Sequence, residues 1–308
     1  CRRVLTVGTL LVCLALPLLA TVSSIPLLIA TLFLFGAGLG TVDSTTNLQA
    51  VIVERASGKT MMSGFHGMFS LGGIVGAAGV SGLLGLGLTP LAAMGVVILM
   101  LLAALFKAAP HLLSYAGERS GPAFAVPHGI VLFIGGMCFI VFLAEGAALD
   151  WSAVFLAEIR HVPRDQAGAG FAVFTLAMTA MRLFGDGIVE RLGRTRTIVI
   201  GGITAAAGFA LATLVPSFAM ALVGYVLVGL GCANIVPALF SMAGQQRAMP
   251  ESIAITAVTT LGYAGILAGP AAIGALAHAT SLGFAFLCVA AMLLGVAASA
   301  RSLARRLP

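Results

Sequence analysis

Apolar stretches of roughly 20 residues without a charge recur along the whole chain, the length a helix needs to cross the ~30 Å hydrocarbon core of a bilayer. Gly, Pro and charged positions punctuate them. The pattern predicts ten helices, at about 4–22, 26–53, 61–86, 88–107, 129–156, 166–185, 197–215, 217–243, 252–276 and 280–300. The connections at Ser23–Pro26, Gly87–Pro90 and Val215–Ser217 leave room only for hairpins between antiparallel neighbours. One connection, 108–127, is longer and holds Pro110, Pro122 and Pro127 with Glu118 and Arg119.

Composition turns the pattern into an exclusion. Of 308 residues, 60% are apolar and only 8% charged, against about 25% charged in a soluble domain. That is too little charge to cover a globule in water. A nucleic-acid binder, a secreted disulfide scaffold and a soluble enzyme with one anchor are therefore excluded, leaving an all-α, multi-pass membrane protein. Cys1, Cys13, Cys138, Cys232 and Cys288 include no C-x-x-C pair, and four of them lie in apolar runs where a thiol is a small hydrophobe. Neither a disulfide, a metal site nor a cofactor is expected. The opening Cys1-Arg2-Arg3 is not Met, and the run after it lacks a small-residue cleavage site. It does not read as a signal peptide, and the sequence is expected to start inside a longer protein.

The formal net charge is +6, but the cations sit in ones to threes at the ends of apolar runs, which is a topology signal. When alternate connections are assigned to alternate sides, Arg2, Arg3, Arg55, Lys59, Lys107, Arg119, Arg191, Arg194, Arg196, Arg247, Arg301, Arg305 and Arg306 share one side. Arg160 and Arg164 fall on the other, and Arg182 falls within a span. The excess of positive charge marks the cytoplasmic side, so the long connection and the C-terminus are expected there.

The chain also repeats. At an offset of 193, Arg3 aligns with Arg196, Gly8 with Gly201, Gly36 with Gly229 and Gly38 with Gly231. With one slip, Leu19-Ala20-Thr21 aligns with Leu211-Ala212-Thr213; at 190, Leu71-Gly72 aligns with Leu261-Gly262 and Gly79 with Gly269. The order and near-constant offset indicate two parallel halves. The first is 1–107, the connection is 108–127, and the second, at 128–308, has six spans. The first has four. Two N-terminal helices, about 65 residues, are expected to be missing from a twelve-span whole.

Taken together these residues resemble the major facilitator superfamily. The run Arg182-Leu-Phe-Gly185-Asp186-Gly-Ile-Val-Glu190-Arg191-Leu-Gly193-Arg194-Thr-Arg196 is similar to that family's cytoplasmic-loop signature of Gly, acid, Arg, Gly and Arg. It departs from it in carrying Glu190 where Asp is usual and in placing Gly185 one position away. Asp43-Ser-Thr-Thr-Asn47-Leu-Gln49 with Glu54-Arg55, and Glu145-Gly-Ala-Ala-Leu-Asp150-Trp151-Ser, resemble a branch of bacterial inner-membrane permeases related to sugar transporters. The resemblance implies a helical bundle of that family in the inner (plasma) membrane, with the helices at 26–53 and 129–156 lining a central cavity.

A carboxylate near the bilayer centre costs roughly 2.5 to 3.5 kcal/mol, so each needs a wet cavity, a partner or a proton. Asp43, Asn47 and Glu54 share one stripe of their helix. Asp43 and Asn47 are candidates for substrate or proton contact, or for a hydrogen bond between helices; Glu54 reads as a headgroup-level charge paired with Arg55 or the neighbouring loop. Glu145, toward the outer half of its span, is a candidate protonatable carboxyl or acceptor for a hydroxylated substrate. Asn234 lies opposite Thr41 in the repeat, and Pro237 three residues on frees a backbone carbonyl; it is a cavity contact or a buried hydrogen bond. Arg182 and Asp186, four apart, can pair along one helix face. With Gly185, Glu190, Arg191, Gly193 and Arg194 they read as a charged latch for one state of a rocking cycle. The alternative is a snorkelling Arg and a solvated loop. His66 reads as a helix contact or a proton relay, and Trp151, the only Trp, as an interfacial anchor. Glycines at 72, 73, 76, 79 and 82, and at 262, 265, 269 and 274, suggest faces along which helices approach and slide.

Gly79-Val80-Ser81-Gly82 matches an intramembrane serine-protease pattern, but no His is placed to serve it. No Walker sequence and no metal-spaced His pair occurs, and no catalytic residue is assigned. The function expected is secondary transport of a small polar solute, a sugar or related metabolite, by alternating access, with protons as candidate coupling ion. The partners are then the solute, protons and the lipid bilayer, not nucleic acid, and the chain is read as a monomer. An exporter of amphipathic compounds and a solute receptor on the same fold are the alternatives.

Overall fold

A computed structural model describes residues 1–114 and 126–307. Glu118, Arg119 and Pro122 of the long connection lie outside the described residues. Among the described residues twelve α-helices follow one another: α1 (Arg2–Thr21), α2 (Ile25–Ser57), α3 (Met62–Gly85), α4 (Pro90–Ala108), α5 (Gly129–Val154), α6 (Ala169–Leu183), α7 (Gly185–Leu192), α8 (Arg194–Leu214), α9 (Phe218–Cys232), α10 (Ile235–Ala243), α11 (Glu251–Ala279) and α12 (Leu282–Arg305). A π-helical turn, Phe155–Ile159, extends α5. Apart from α7, which carries Asp186, Glu190 and Arg191, the helices are predominantly apolar, and outside the breaks described below their backbones are satisfied internally, as a segment in hydrocarbon requires. Short hairpins are closed by side-chain caps: Thr89, Ser217 and Ser281 accept from the N–H groups of Ala92, Met220 and Phe284.

Nine of these segments, with α9 and α10 counted together, are long and apolar enough to cross a membrane; α6 and α7 make a tenth if the pair, bent by 62°, is one span. Counted that way, the described residues hold the ten spans expected, two of them broken. α6 ends at Leu183 and the chain turns before α7. α9 ends at Cys232 because Pro237 has no N–H for the carbonyl four residues back, and α10 starts afresh after Asn234.

Contacts group the described residues into two units: Cys1–Val53 with Leu71 to residue 114, and Glu54–Ser70 with everything from residue 126 on. In the first, α1 packs on α4, and Arg2 donates to the carbonyls of Pro110 and Leu112. α1 and α2 approach at Gly8 and Gly38, where a Cβ on Gly8 would stand 3.1 Å from the Gly38 carbonyl. In the second unit α5 packs along α11, α8 lies against both α9 and α12, and α6 packs on α9. Tyr225, Phe155, Phe209, Phe240 and Phe286 are fully buried there. α8 and α9 approach at Gly201 and Gly231, where a Cβ on Gly201 would stand 2.5 Å from the Gly231 carbonyl. Gly8 and Gly38 are the repeat mates of Gly201 and Gly231, so the same glycine crossing is built twice.

The two glycine stripes differ. On α11, Gly262, Gly265, Gly269 and Gly274 seat Phe142, Phe139, Leu143 and Trp151 of α5. On α3, Gly72, Gly73, Gly76, Gly79 and Gly82 meet nothing within 4 Å among the described residues. Trp151, expected as an interfacial anchor, lays its ring against Gly274 in the α5–α11 seam. The five cysteines are free thiols.

Candidate functional site

Arg182 organises the interior of the second unit. α6 has 15 residues and rises about 22 Å, less than the hydrocarbon thickness. The guanidinium near its end is therefore held inside the protein, with 5% of the residue exposed. A buried cation needs its hydrogen bonds filled, and three elements fill them. Nη2 donates to Glu145 Oε1 of α5 at 3.2 Å, Nη1 to Ser70 Oγ of α3 at 2.9 Å, and Nε to the Ala233 carbonyl at 3.1 Å. That carbonyl is the one Pro237 leaves without a helical donor. The freed acceptor expected from Pro237 is thus present, and it is spent on an arginine.

Asn234, at the same break, donates from Nδ2 to the Met181 carbonyl at 3.4 Å. Its Oδ1 is buried without a partner among the described residues, as is Nε2 of His66, whose ring lies 5.7 Å from that of Phe240. Ser70 Oγ also donates to the His66 carbonyl, one turn back on α3. His66, Ser70, Glu145, Arg182 and Asn234 thus form one polar cluster in an apolar interior. Gly185 belongs to its floor: a side chain there would collide with Asn234 Oδ1 and Ser63 Cβ.

A second set of charges holds the turn between α2 and α3. Asp186 accepts from the N–H groups of Ser63 and Gly64, both at 2.9 Å, placing a carboxylate on the positive first turn of α3. Glu54 accepts from the N–H groups of Met61 and Met62 at 2.9 and 3.0 Å, and from Arg194 Nη2 at 3.1 Å. Arg55 forms a two-point pair with Glu251 at 2.9 and 3.0 Å. Gly193, with φ +79°, makes the sharp step from α7 into α8 that a side chain would strain. Glu190 and Arg191 are exposed and make none of these bonds.

Two expected pairings are corrected. Arg182 and Asp186 do not pair, because the 62° bend between them takes residues four apart off a common face. Glu54 has the loop partner expected of it, in the N–H groups of Met61 and Met62, but not the Arg55 pair: it is buried, its ionic partner is Arg194, and Arg55 belongs to Glu251. Asp43 and Asn47 are in the first unit, where Asn47 Nδ2 donates to the Asp43 carboxylate and carbonyl, both at 3.1 Å. Ser70 was missed as a site group, and so was the bond from Arg182 to the freed carbonyl, which is that of Ala233. Counting back four from Pro237, and asking what an arginine within a span could bond to, would have found the carbonyl.

Residues 130–307 match the family model for the Major Facilitator Superfamily. The chain belongs to the major facilitator superfamily. A transporter of this family from Yersinia pestis, described as uncharacterised, is 51% identical over 99% of this chain and 80% of its own length. The membrane protein MosC of Rhizobium meliloti is 32% identical over 90% of this chain and 68% of its own. Solved family structures share the fold at low identity. The E. coli fucose:proton symporter FucP, in the outward conformation, has a TM-score of 0.78 at 14% identity, covering 98% of this chain and 83% of that one. The human organic anion transporter MFSD10 has a TM-score of 0.74 at 18% identity, covering 97% and 76%. The chain is accordingly a multi-pass membrane protein of a transporter family with the all-α fold of that family.

Proposed function

We propose that the protein is a permease of the bacterial inner membrane, without enzymatic activity, that carries a small polar solute, a sugar or related metabolite, by alternating access. Proton movement is coupled at Glu145. The observation that carries this reading is the buried Glu145–Arg182 pair, tied to α3 through Ser70 and to the α9–α10 break through Ala233. Such a pair is expensive to keep in an apolar interior unless its charge state is used. Protonating Glu145 removes the anion facing Arg182 and loosens the link between α5 and α6. Arg182 is then free to be recruited by a hydroxylated solute beside Asn234; Asp43 and Asn47, in the first unit, are a separate candidate for polar contact with solute or proton.

Opening toward the side of the α2–α3 turn requires the clasp made by Asp186, Glu54 and Arg194 to release. On this reading Gly185, Gly193, Glu190 and Arg191 complete that loop, and the halves are 1–107 and 128–308 with 108–127 between them. The working unit is a monomer, and the C-terminus is cytoplasmic.

The test uses vesicles holding the whole protein and a panel of labelled hexoses and pentoses. Accumulation should collapse with an uncoupler, and sugar addition should alkalinise a lightly buffered medium. Glu145→Gln should retain counterflow while losing accumulation. Accumulation by Glu145→Gln equal to that of the parent removes the coupling assignment, and solute binding without counterflow removes transport. A fluorescent protein fused after Pro308 should fluoresce, and alkaline phosphatase there should be inactive.

A further inference from the structure

Away from the polar cluster, α5 and α12 leave a groove of about 470 Å³ at the end of the second unit where α5 begins and α12 ends. Its walls are apolar: Phe133, Gly136 and Ile140 of α5 face Gly295 and Ser299 of α12. It is open because two of these positions carry no side chain; among the described residues a Cβ on Gly136 or Gly295 would meet nothing within 4 Å. Leu132 on its rim is 49% exposed, so the groove opens sideways, toward whatever surrounds the helices.

Charge closes one end. Arg306 stands over the Phe133 ring, its Cζ 5.2 Å from the centroid, and lines the groove. Arg301 and Arg305 precede it, and all three are exposed. Among the described residues none of the three forms an ion pair. The apolar stretch of α5 from Gly129 to Ile140 rises about 16 Å, close to one leaflet's half of the ~30 Å hydrocarbon core.

We propose that this groove is a binding site for one anionic phospholipid, with an acyl chain between α5 and α12 and the phosphate headgroup on Arg306 and its neighbours. The leaflet is the one at the C-terminal end of α12, cytoplasmic in the orientation proposed above. A soluble anion would make no use of the apolar walls. A second copy packed symmetrically on this face would bring arginines against arginines. A zwitterionic lipid fills the groove equally well but leaves three unpaired cations unmatched, so net negative charge is what the site selects.

The experiment is lipid retention by the whole protein in mild detergent, counted by native mass spectrometry during titration with phosphatidylglycerol or with phosphatidylcholine of identical chains. One phosphatidylglycerol should be held in preference. Arg306→Gln should weaken it about five-fold and leave phosphatidylcholine unchanged. Gly136→Leu and, independently, Gly295→Leu should abolish the preferred site while the melting temperature stays at the parent value, since both positions face open space. Equal retention of the two lipids, undiminished phosphatidylglycerol in both leucine variants, or a groove closed by dimerisation overturns the proposal. Retention in detergent is read without regard to sidedness or transport, so failure here is distinct from failure of the transport reading.

Discussion

α2 and the α9–α10 pair are repeat mates that fold differently. Each crosses its preceding helix through matched glycines, Gly8 with Gly38 and Gly201 with Gly231. Just beyond the crossing the sequences part, with Ser44 in the first half where the second has Pro237. α2 therefore runs unbroken over 33 residues. Its mate stops at Cys232, and the released Ala233 carbonyl accepts from Arg182. One proline turns a structural helix into a site-forming one: the defect exposes a carbonyl at membrane depth, and a buried guanidinium repairs it. In the first half Asn47 bonds Asp43 along an intact helix; at the break in the second, Arg182 gathers groups from α5, the α9–α10 break and α3.

The comparison breaks most severely if the repairing group is removed. Arg182→Gln strands Glu145 and the Ala233 carbonyl, and should cost about 3 to 5 kcal/mol. Buried thiols make thiol-dye labelling during heating in detergent a suitable readout. Copying the break into the intact helix should cost somewhat less: Ser44→Pro loses a helical bond with no arginine assigned to repair it, about 3 kcal/mol by the same melt. A smaller difference separates the crossings. A Cβ on Gly201 would meet the Gly231 carbonyl at 2.5 Å, whereas one on Gly8 would meet Val42 Cγ2 at 2.9 Å, the end of a side chain that can move. Gly201→Ala should therefore be the worse of the pair, by about 1 to 2 kcal/mol. The smallest change is Pro237→Ser, which returns an N–H to Ala233 and competes with one Arg182 bond of three. Stability should move by no more than about 1 kcal/mol, while sugar counterflow slows. An unaltered counterflow rate would mean that the break in the helix serves packing alone.

Much of this was legible beforehand, and the misses share a cause. The ten spans, the hairpins and the freed carbonyl follow from local rules: apolar run length, turn residues, and proline's missing donor. Arg182 with Asp186 was misread because spacing defines a face only along a straight helix, and α6 is not continuous with α7. For Glu54 the loop partner was legible from proximity in the chain, but its ionic partner was not, since Arg194 is 140 positions away and adjacency suggested Arg55. The glycine stripe on α11 packs as its spacing suggests, while the identical logic on α3 finds no neighbour within 4 Å among the described residues.

What the sequence determined by itself is membership of the bilayer, the number of spans and the doubled glycine crossing. These rest on the absence of water from the hydrocarbon, which forces backbone bonds within each helix and leaves composition and period to declare the element. Tertiary structure alone decided the partners: Arg182 with Glu145, Ser70 and Ala233, Asp186 on the first turn of α3, and Arg194 with Glu54. A buried charge is satisfied by whichever acceptor the fold brings within about 3 Å. Distance along the chain does not constrain that choice, so the spans could be read in order while the site had to be seen in space.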